Sequence, residues 1–320
     1  MSRSGTLRCS VFLLLMVPVH LLLLAVHDAA AHSRSLLFRV DRLFWSLHED
    51  LDYLVLGDSH AQDDLDPAIL GRAFNFASAG ETYLQTRAKL KKILRDRSGR
   101  IRRVILPLDV HSFSSFRAGR MEDADYWVRY VDFLELGREE GDPLGRLPEL
   151  IEGQLIPYLG RGKDWLRVLN TLRRSQQVPV RGYLGRKSAA PQSLQKRWAL
   201  AHRRARLHLG SGEAEDPLLV GAFEDCLDLC AEHGVEILAV KFPVSPEYDQ
   251  AIRELVDVDT LEEWLTSLVA DRDGVKLLDL RRELFDRPHL FADADHLDAR
   301  GAAVLSHLVR TRGEQWETDG

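Results

Sequence analysis

Four short pieces of this 320-residue chain carry side chains able to do chemistry: Gly57–Asp58–Ser59–His60, Ala79–Gly80, Asp109–Val110–His111 and Asp293–Ala294–Asp295–His296. A serine hydroxyl keeps its proton near neutral pH and attacks only when a base stands beside it. His296 offers that base. Asp293, three residues earlier, is spaced to bond the far ring nitrogen and fix the tautomer, which gives Ser59, His296 and Asp293 the roles of a generalised serine triad. The backbone N–H groups of Ser59 and Gly80 are expected to face the oxyanion of an acyl transfer, where each such donor is worth about 3 kcal/mol in the transition state. Asp58, His60, Asp109 and His111 remain as accessory candidates. The plainer alternatives are a strand-to-helix turn capped by Asp58 or Ser59, and histidines that are simply solvated.

These pieces converge only if a common sheet carries them. Asp52–Leu56, running into Gly57, is apolar in succession and reads as a strand covered on both faces. Phe74–Ala77, Arg103–Leu108, Val235–Phe242 and Val275–Leu280 read as four more. Asp66–Pro67 is an N-cap and first-turn pair for a short helix. Thr82 with Gln85 forms a capping box for a helix reaching about Arg97. Asp216–Pro217 opens another, closed by Gly234, and a last helix follows Asp298. Strands alternating with helices imply right-handed crossovers and a parallel sheet, with ligands beyond the carboxyl ends of the strands. The expectation is a flavodoxin-like three-layer α/β sandwich. Asn75, inside the second strand, is read as structural. Cys226 and Cys230, one helical turn apart, are read as buried thiols because no second ligand pair lies nearby.

Composition excludes other classes. Apolar residues at 45% and charged residues at 29% describe a globular chain, neither disordered nor a multi-span membrane protein. Arg3 and Arg8 precede an apolar run from Val11 to Val26, and Ala29–Ala30–Ala31 follows like a cleavage site, so residues 1–32 read as a signal anchor or signal peptide. The rest of the chain is then expected outside the cytoplasm, held by one N-terminal membrane anchor or released by cleavage near Ala31. The core is expected over 33–111 and 216–320, with Leu36–Glu49 as an amphipathic connector. Residues 112–215 are too long for a connection and read as a helical lid. From Arg161 to Arg206 the chain holds thirteen Lys or Arg against the single acid Asp164, in a protein of net charge −6. With Trp165, Tyr183 and Trp198 interleaved, this insertion suits an anionic or neutral glycan or anionic lipid head groups, while the extracytoplasmic setting argues against nucleic acid. A solvated helical surface is the plain reading.

The pairing of Gly57–Asp58–Ser59 with a late Asp293–Ala294–Asp295–His296 resembles the SGNH, or GDSL-like, hydrolase superfamily, with Gly80 at its second block. The likeness is closer to the membrane-anchored branch that includes alginate O-acetylation proteins and DltD-like cell-wall proteins. It rests on Asn75–Gly80, on Lys241–Tyr248 and on Phe291–Gly301, and it covers Asp52–Arg120 and Asp216–Arg312. What the resemblance implies is an acyl-Ser59 intermediate, transferase or esterase activity on an envelope or secreted polysaccharide, no cofactor, and a membrane-bound acyltransferase partner. The family's third block, Gly-x-Asn-Asp, is absent, and Leu108–Asp109–Val110–His111 stands in its place. A non-catalytic glycan-binding partner of an acyltransferase complex is therefore the alternative. The Asp58-x-His60 and Asp109-x-His111 spacings also resemble the opening of calcineurin-like metallophosphoesterases, but that family's Gly-Asp-x-x-Asp-Arg-Gly and Gly-Asn-His-Glu segments are missing, so no metal ligands are assigned.

Overall fold

The computed structural model describes residues 3–29, 35–97, 99–118, 124–142, 144–156, 179–188, 193–210 and 214–319. Its contacts divide the chain into two units, residues 1–42 with 123–177, and residues 43–122 with 178–320.

In the first unit the N-terminal apolar run lies in the helix Arg3–His27, with Pro18 inside it. Among the described residues no helix is long and apolar enough to cross a membrane; Ala30 and Ala31 lie outside them. Short helices at Ala124–Trp127, Phe133–Glu139 and Leu147–Gln154 follow. Asp132 caps the second by accepting from the N–H groups of Leu134 and Glu135. Phe38 meets Tyr126 edge-on at 5.3 Å, and the buried Asp41 carboxylate accepts from the Tyr130 hydroxyl.

The second unit is an α/β fold built on one sheet. Its strands are β1 (Leu51–Val55), β2 (Ala73–Asn75), β3 (Ile101–Pro107), β4 (Glu236–Lys241) and β5 (Val275–Asp279), all parallel in the order β2-β1-β3-β4-β5. Leu54, Val55, Val104, Ile105, Leu238 and Val240 are buried in this sheet, as strands covered on both faces require. Each such side chain contributes about 1.5–3 kcal/mol by leaving water. Parallel neighbours need crossovers, here including the helices Tyr83–Asp96, Pro217–Glu232 and Val258–Ala270. The first two pack on each other, and the C-terminal helix Ala299–Asp319 packs on the short helices Ser59–Asp64 and Pro67–Leu70. The arrangement is consistent with a three-layer sandwich.

Strand boundaries differ from the sequence reading by one or two residues. β3 begins two residues before Arg103, at Ile101, which pairs with Leu51, and the intervening Arg102 is exposed. Arg103 is in fact buried, its guanidinium 2.5 Å from Glu236 and stacked between Tyr53 and Trp316. The chain enters the sheet at β1, turns to β2 on one side and to β3 on the other. The crevice of such a sheet opens at that reversal, beyond the ends of β1 and β3.

Candidate active site

Gly57 makes the turn that leaves β1. Its φ is +110°, and a Cβ there would stand 2.5 Å from both Cδ and Cγ of Pro107, the last residue of β3. Only glycine passes so close in that conformation. Gly57→Ala is therefore expected to destabilise the protein by about 1–3 kcal/mol and to shift Ser59. Thermal denaturation together with the reactivity of Ser59 checks it, and an unchanged melting temperature would contradict it.

Asp58 caps the helix Ser59–Asp64 by accepting from the N–H of His60 at 3.0 Å, so Ser59 becomes its first residue. The neighbouring turn is pinned alongside. Ser78 N–H donates to the Gly57 carbonyl at 2.9 Å and Ala79 N–H to Gln62 Oε1 at 2.9 Å. Gly80 follows at φ +79°, exposed. The N–H groups of Ser59 and Gly80 have no bond to another described residue. Asn75 is structural as expected: its amide donates to the carbonyls of Ala61 at 2.8 Å and Leu65 at 2.9 Å, while its Oδ1 accepts from Ala77 N–H.

The turn after β5 closes on itself. Asp293 Oδ1 accepts from the N–H groups of Asp295 and His296 at 3.2 and 3.0 Å, and Phe291 bridges Leu297. Ser245 N–H donates to the Ala294 carbonyl and Leu297 N–H to Asp64 Oδ1, which joins this turn to the loop after β4 and to the serine helix. The result brings three residues into line. His296 Nδ1 lies 2.8 Å from Asp293 Oδ1, and its Nε2 lies 2.9 Å from Ser59 Oγ. His296 is 1% exposed and Ser59 7%, while the Asp293 side chain is 39% exposed, so the acid marks the solvent edge.

The accessory candidates are not solvated; they form a buried network beneath the triad. His60, 0% exposed, has Nδ1 2.9 Å from Asp109 Oδ2 and Nε2 3.5 Å from Asp295 Oδ2. Asp109 Oδ1 accepts from Phe242 N–H at 2.9 Å. Asp58 Oδ2 meets His111 Nε2 at 3.0 Å and Arg117 Nη2 at 2.8 Å. The His60 ring contacts those of His111 and His296 with centroids 4.5 and 5.1 Å apart.

Charge follows from this packing. Burial alone would lower His296, but Asp295 and then Asp293 outweigh it and raise its pKa to about 9. Burial is likewise overcome at His60, which Asp109 and Asp295 hold well above the ordinary histidine value. Burial pushes His111 down to about 4, with repulsion from His60 next. Burial would raise Asp58, yet Arg117 and then His111 keep it well below the usual carboxylate range. At Asp64 burial outweighs the opposing pull of His296 and His60 and lifts the carboxyl to about 8.

Several members of the site have no signature in the sequence. Arg204 Nε donates to Asp295 Oδ2 at 2.9 Å, and Arg186 spans Asp293 Oδ2 at 2.6 Å and Asp63 Oδ2 at 2.5 Å. Both arginines belong to the basic stretch read as a lid, and the described part of that stretch, 179–188 with 193–206, lies in the same unit as the sheet. Its cations meet the acids of that unit, with Arg181 on Glu49 and Arg197 on Glu247 at 2.7 and 2.8 Å. The lopsided charge is thus partly internal pairing. Trp165 and residues 157–178 lie outside the described residues.

Two trios, His60 with Asp295 and His296, and His60 with Asp109 and His111, bring possible ligand atoms within 4.8 Å of one another. They suit a cation poorly. In the first trio Asp295 is already paired with Arg204, which an ion would have to displace, and in the second both oxygens of Asp109 and Nε2 of His111 are hydrogen-bonded. No protein-family model matches the sequence, and no curated protein is significantly similar to it.

Proposed function

We propose that the protein is an SGNH-like acyltransferase or esterase that forms an acyl-Ser59 intermediate, with an acetyl group and a cell-envelope or secreted polysaccharide as the substrates. The observation that carries this reading is the unbroken line Asp293–His296–Ser59, at 2.8 and 2.9 Å. The 2-1-3-4-5 strand order supports the flavodoxin-like form of the fold. In the first half-reaction His296 Nε2 takes the Ser59 proton as Oγ bonds to the acyl carbon, and the proton passes to the departing group of the donor. In the second, a sugar hydroxyl or water gives its proton to His296, attacks the ester carbon, and Ser59 Oγ leaves and recovers the proton. The N–H groups of Ser59 and Gly80 are assigned to the oxyanion. The N-terminal apolar helix is assigned to export, as an anchor or a leader, and a membrane-bound acyl donor system to partnership.

The second reading, a non-catalytic glycan-binding member of an acyltransferase complex, is favoured by one feature. Asp109 replaces the family's Asn donor and is consumed by His60 and Phe242 N–H. Incubating the full-length protein with an activated acetyl ester and mapping the acetylated peptide separates the two. Acetyl on Ser59 supports the enzyme, and none on folded protein supports the binding partner.

The pH dependence has a definite sign. His296 acts only as neutral imidazole, and with its pKa near 9 it is mostly protonated at neutral pH. Ester hydrolysis is expected to rise about tenfold per pH unit up to a plateau near pH 9. Initial rates between about pH 6 and 10 measure it, and a plateau already reached at neutral pH would contradict it.

A further inference from the structure

Taking Ser59 and His296 as nucleophile and base, Asp295 has no part in a three-residue triad, yet it is 1% exposed and lies on the same ring nitrogen. Its Oδ1 is 3.4 Å from His296 Nδ1, against 2.8 Å for Asp293. Its Oδ2 is held from two other elements, by Arg204 Nε on the helix Leu194–Leu209 at 2.9 Å and by His60 Nε2 on the serine helix at 3.5 Å. That His60 nitrogen has no hydrogen bond of ordinary geometry and is fully buried. On its other side His60 faces Asp109 at 2.9 Å, a carboxylate anchored by Phe242 N–H. Acid and imidazole therefore alternate from the end of β3 to the nucleophile: Asp109, His60, Asp295, His296, Ser59.

We propose that His60 and Asp295 are a positioning pair for the base: Asp109 keeps His60 an imidazolium, that imidazolium and Arg204 restrain the Asp295 carboxylate, and Asp295 acts as a second, buried acceptor for His296. The idea rests on the hydrolase reading above and adds to it a cause for the behaviour of the base. Asp293, the exposed acceptor, is shared with Arg186 at the solvent edge; Asp295 holds the ring from inside, where arriving substrate cannot disturb it. His60 sets how strongly it does so, because a cation at Asp295 Oδ2 drains attraction from the imidazolium of His296.

All the charged groups around this chain enter the expectation. His60 also faces Asp58 and Asp64 from its own turn and helix, and His111 from the loop after β3. His296 also feels Asp64 and Asp293, and His208 on the helix Leu194–Leu209 lies near Asp295. None of these changes in the two variants that separate the roles. In Asp295→Asn a carboxylate beside His296 is lost, and its titration midpoint should fall by about one to two pH units. In His60→Gln the cation restraining Asp295 is lost, and the midpoint should rise. A residue that merely fills space would leave both midpoints in place.

The experiment is a side-chain nitrogen-15 titration of the histidines in the full-length protein and the two variants, followed by the pH dependence of fluorophosphonate labelling at Ser59. Expected are a doubly protonated His60 at pH 7, His296 midpoints displaced in opposite directions, and labelling limbs that follow them. A neutral His60 at pH 7 in the unmodified chain overturns the proposal without any variant, so a variant that fails to fold does not shield it. Unmoved midpoints overturn it as well. Opposite displacements in a chain whose Ser59 never labels would leave the positioning pair standing and count against the hydrolase reading instead.

Discussion

Ser59→Ala is expected to lower acyl transfer or ester hydrolysis by at least about 10⁴-fold, with the fold and stability retained. In the proposed reaction the Ser59 Oγ is the atom that bonds to the acyl group, and no other serine stands 2.9 Å from His296 Nε2 among the described residues. His296→Ala is expected to lose nearly as much, and the double variant little more than either alone, because the two groups act as a unit. Steady-state kinetics of the three variants checks this. Multiplicative losses, or an active Ser59→Ala protein, would show that the chemistry runs elsewhere. A remnant rate above that in water is expected from the N–H groups of the two turns, which no side-chain change removes.

Asp58→Asn carries the largest expected effect on stability, about 3–5 kcal/mol at neutral pH. The side chains of Asp58 and Arg117 are 4% and 6% exposed, so removing the carboxylate strands a guanidinium in the interior and removes the acceptor of His111. Because Arg117 and His111 hold the folded carboxyl well below its ordinary value of 3.8 despite burial, its contribution is complete above that value and fades as the pH falls below it. The gap between variant and parent should accordingly narrow in acid. Chemical denaturation at pH 7 and at about pH 3 measures both parts. A gap that stayed constant would mean that the carboxylate's charge is not what matters.

Much of this architecture is legible in the amino-acid sequence, and the reasons differ from residue to residue. The runs at Leu54–Val55 and Leu238–Val240 announce buried parallel strands because helices cover both faces, while the strand order belongs to the fold and not to the spacing. Ser59, Asp293 and His296 are legible as candidates because a serine directly follows a buried strand and Asp-x-x-His fits within one turn. Their approach across 237 residues of sequence is a matter of register that spacing cannot supply. Arg204 and Arg186 escape for a related reason. In the chain they are two of thirteen basic residues, and only the packing shows that they answer Asp295 and Asp293 rather than a ligand. His60 is the clearest case. Beside a polar turn it reads as solvated, yet the reversal of the sheet at β1 and β3 encloses it between two carboxylates. The pKa of His296 is invisible for the same cause: it belongs to the cluster and not to the motif.

The most direct test of Ser59 as an activated nucleophile is fluorophosphonate labelling of the full-length protein, with the modified peptide identified by mass spectrometry and His296→Ala as control. Such a reagent bonds only to a serine that is activated beside a formed oxyanion site. The expected result is a single label on Ser59, faster toward alkaline pH and lost in the control. Folded protein that takes no label, or that labels equally well without His296, would contradict it.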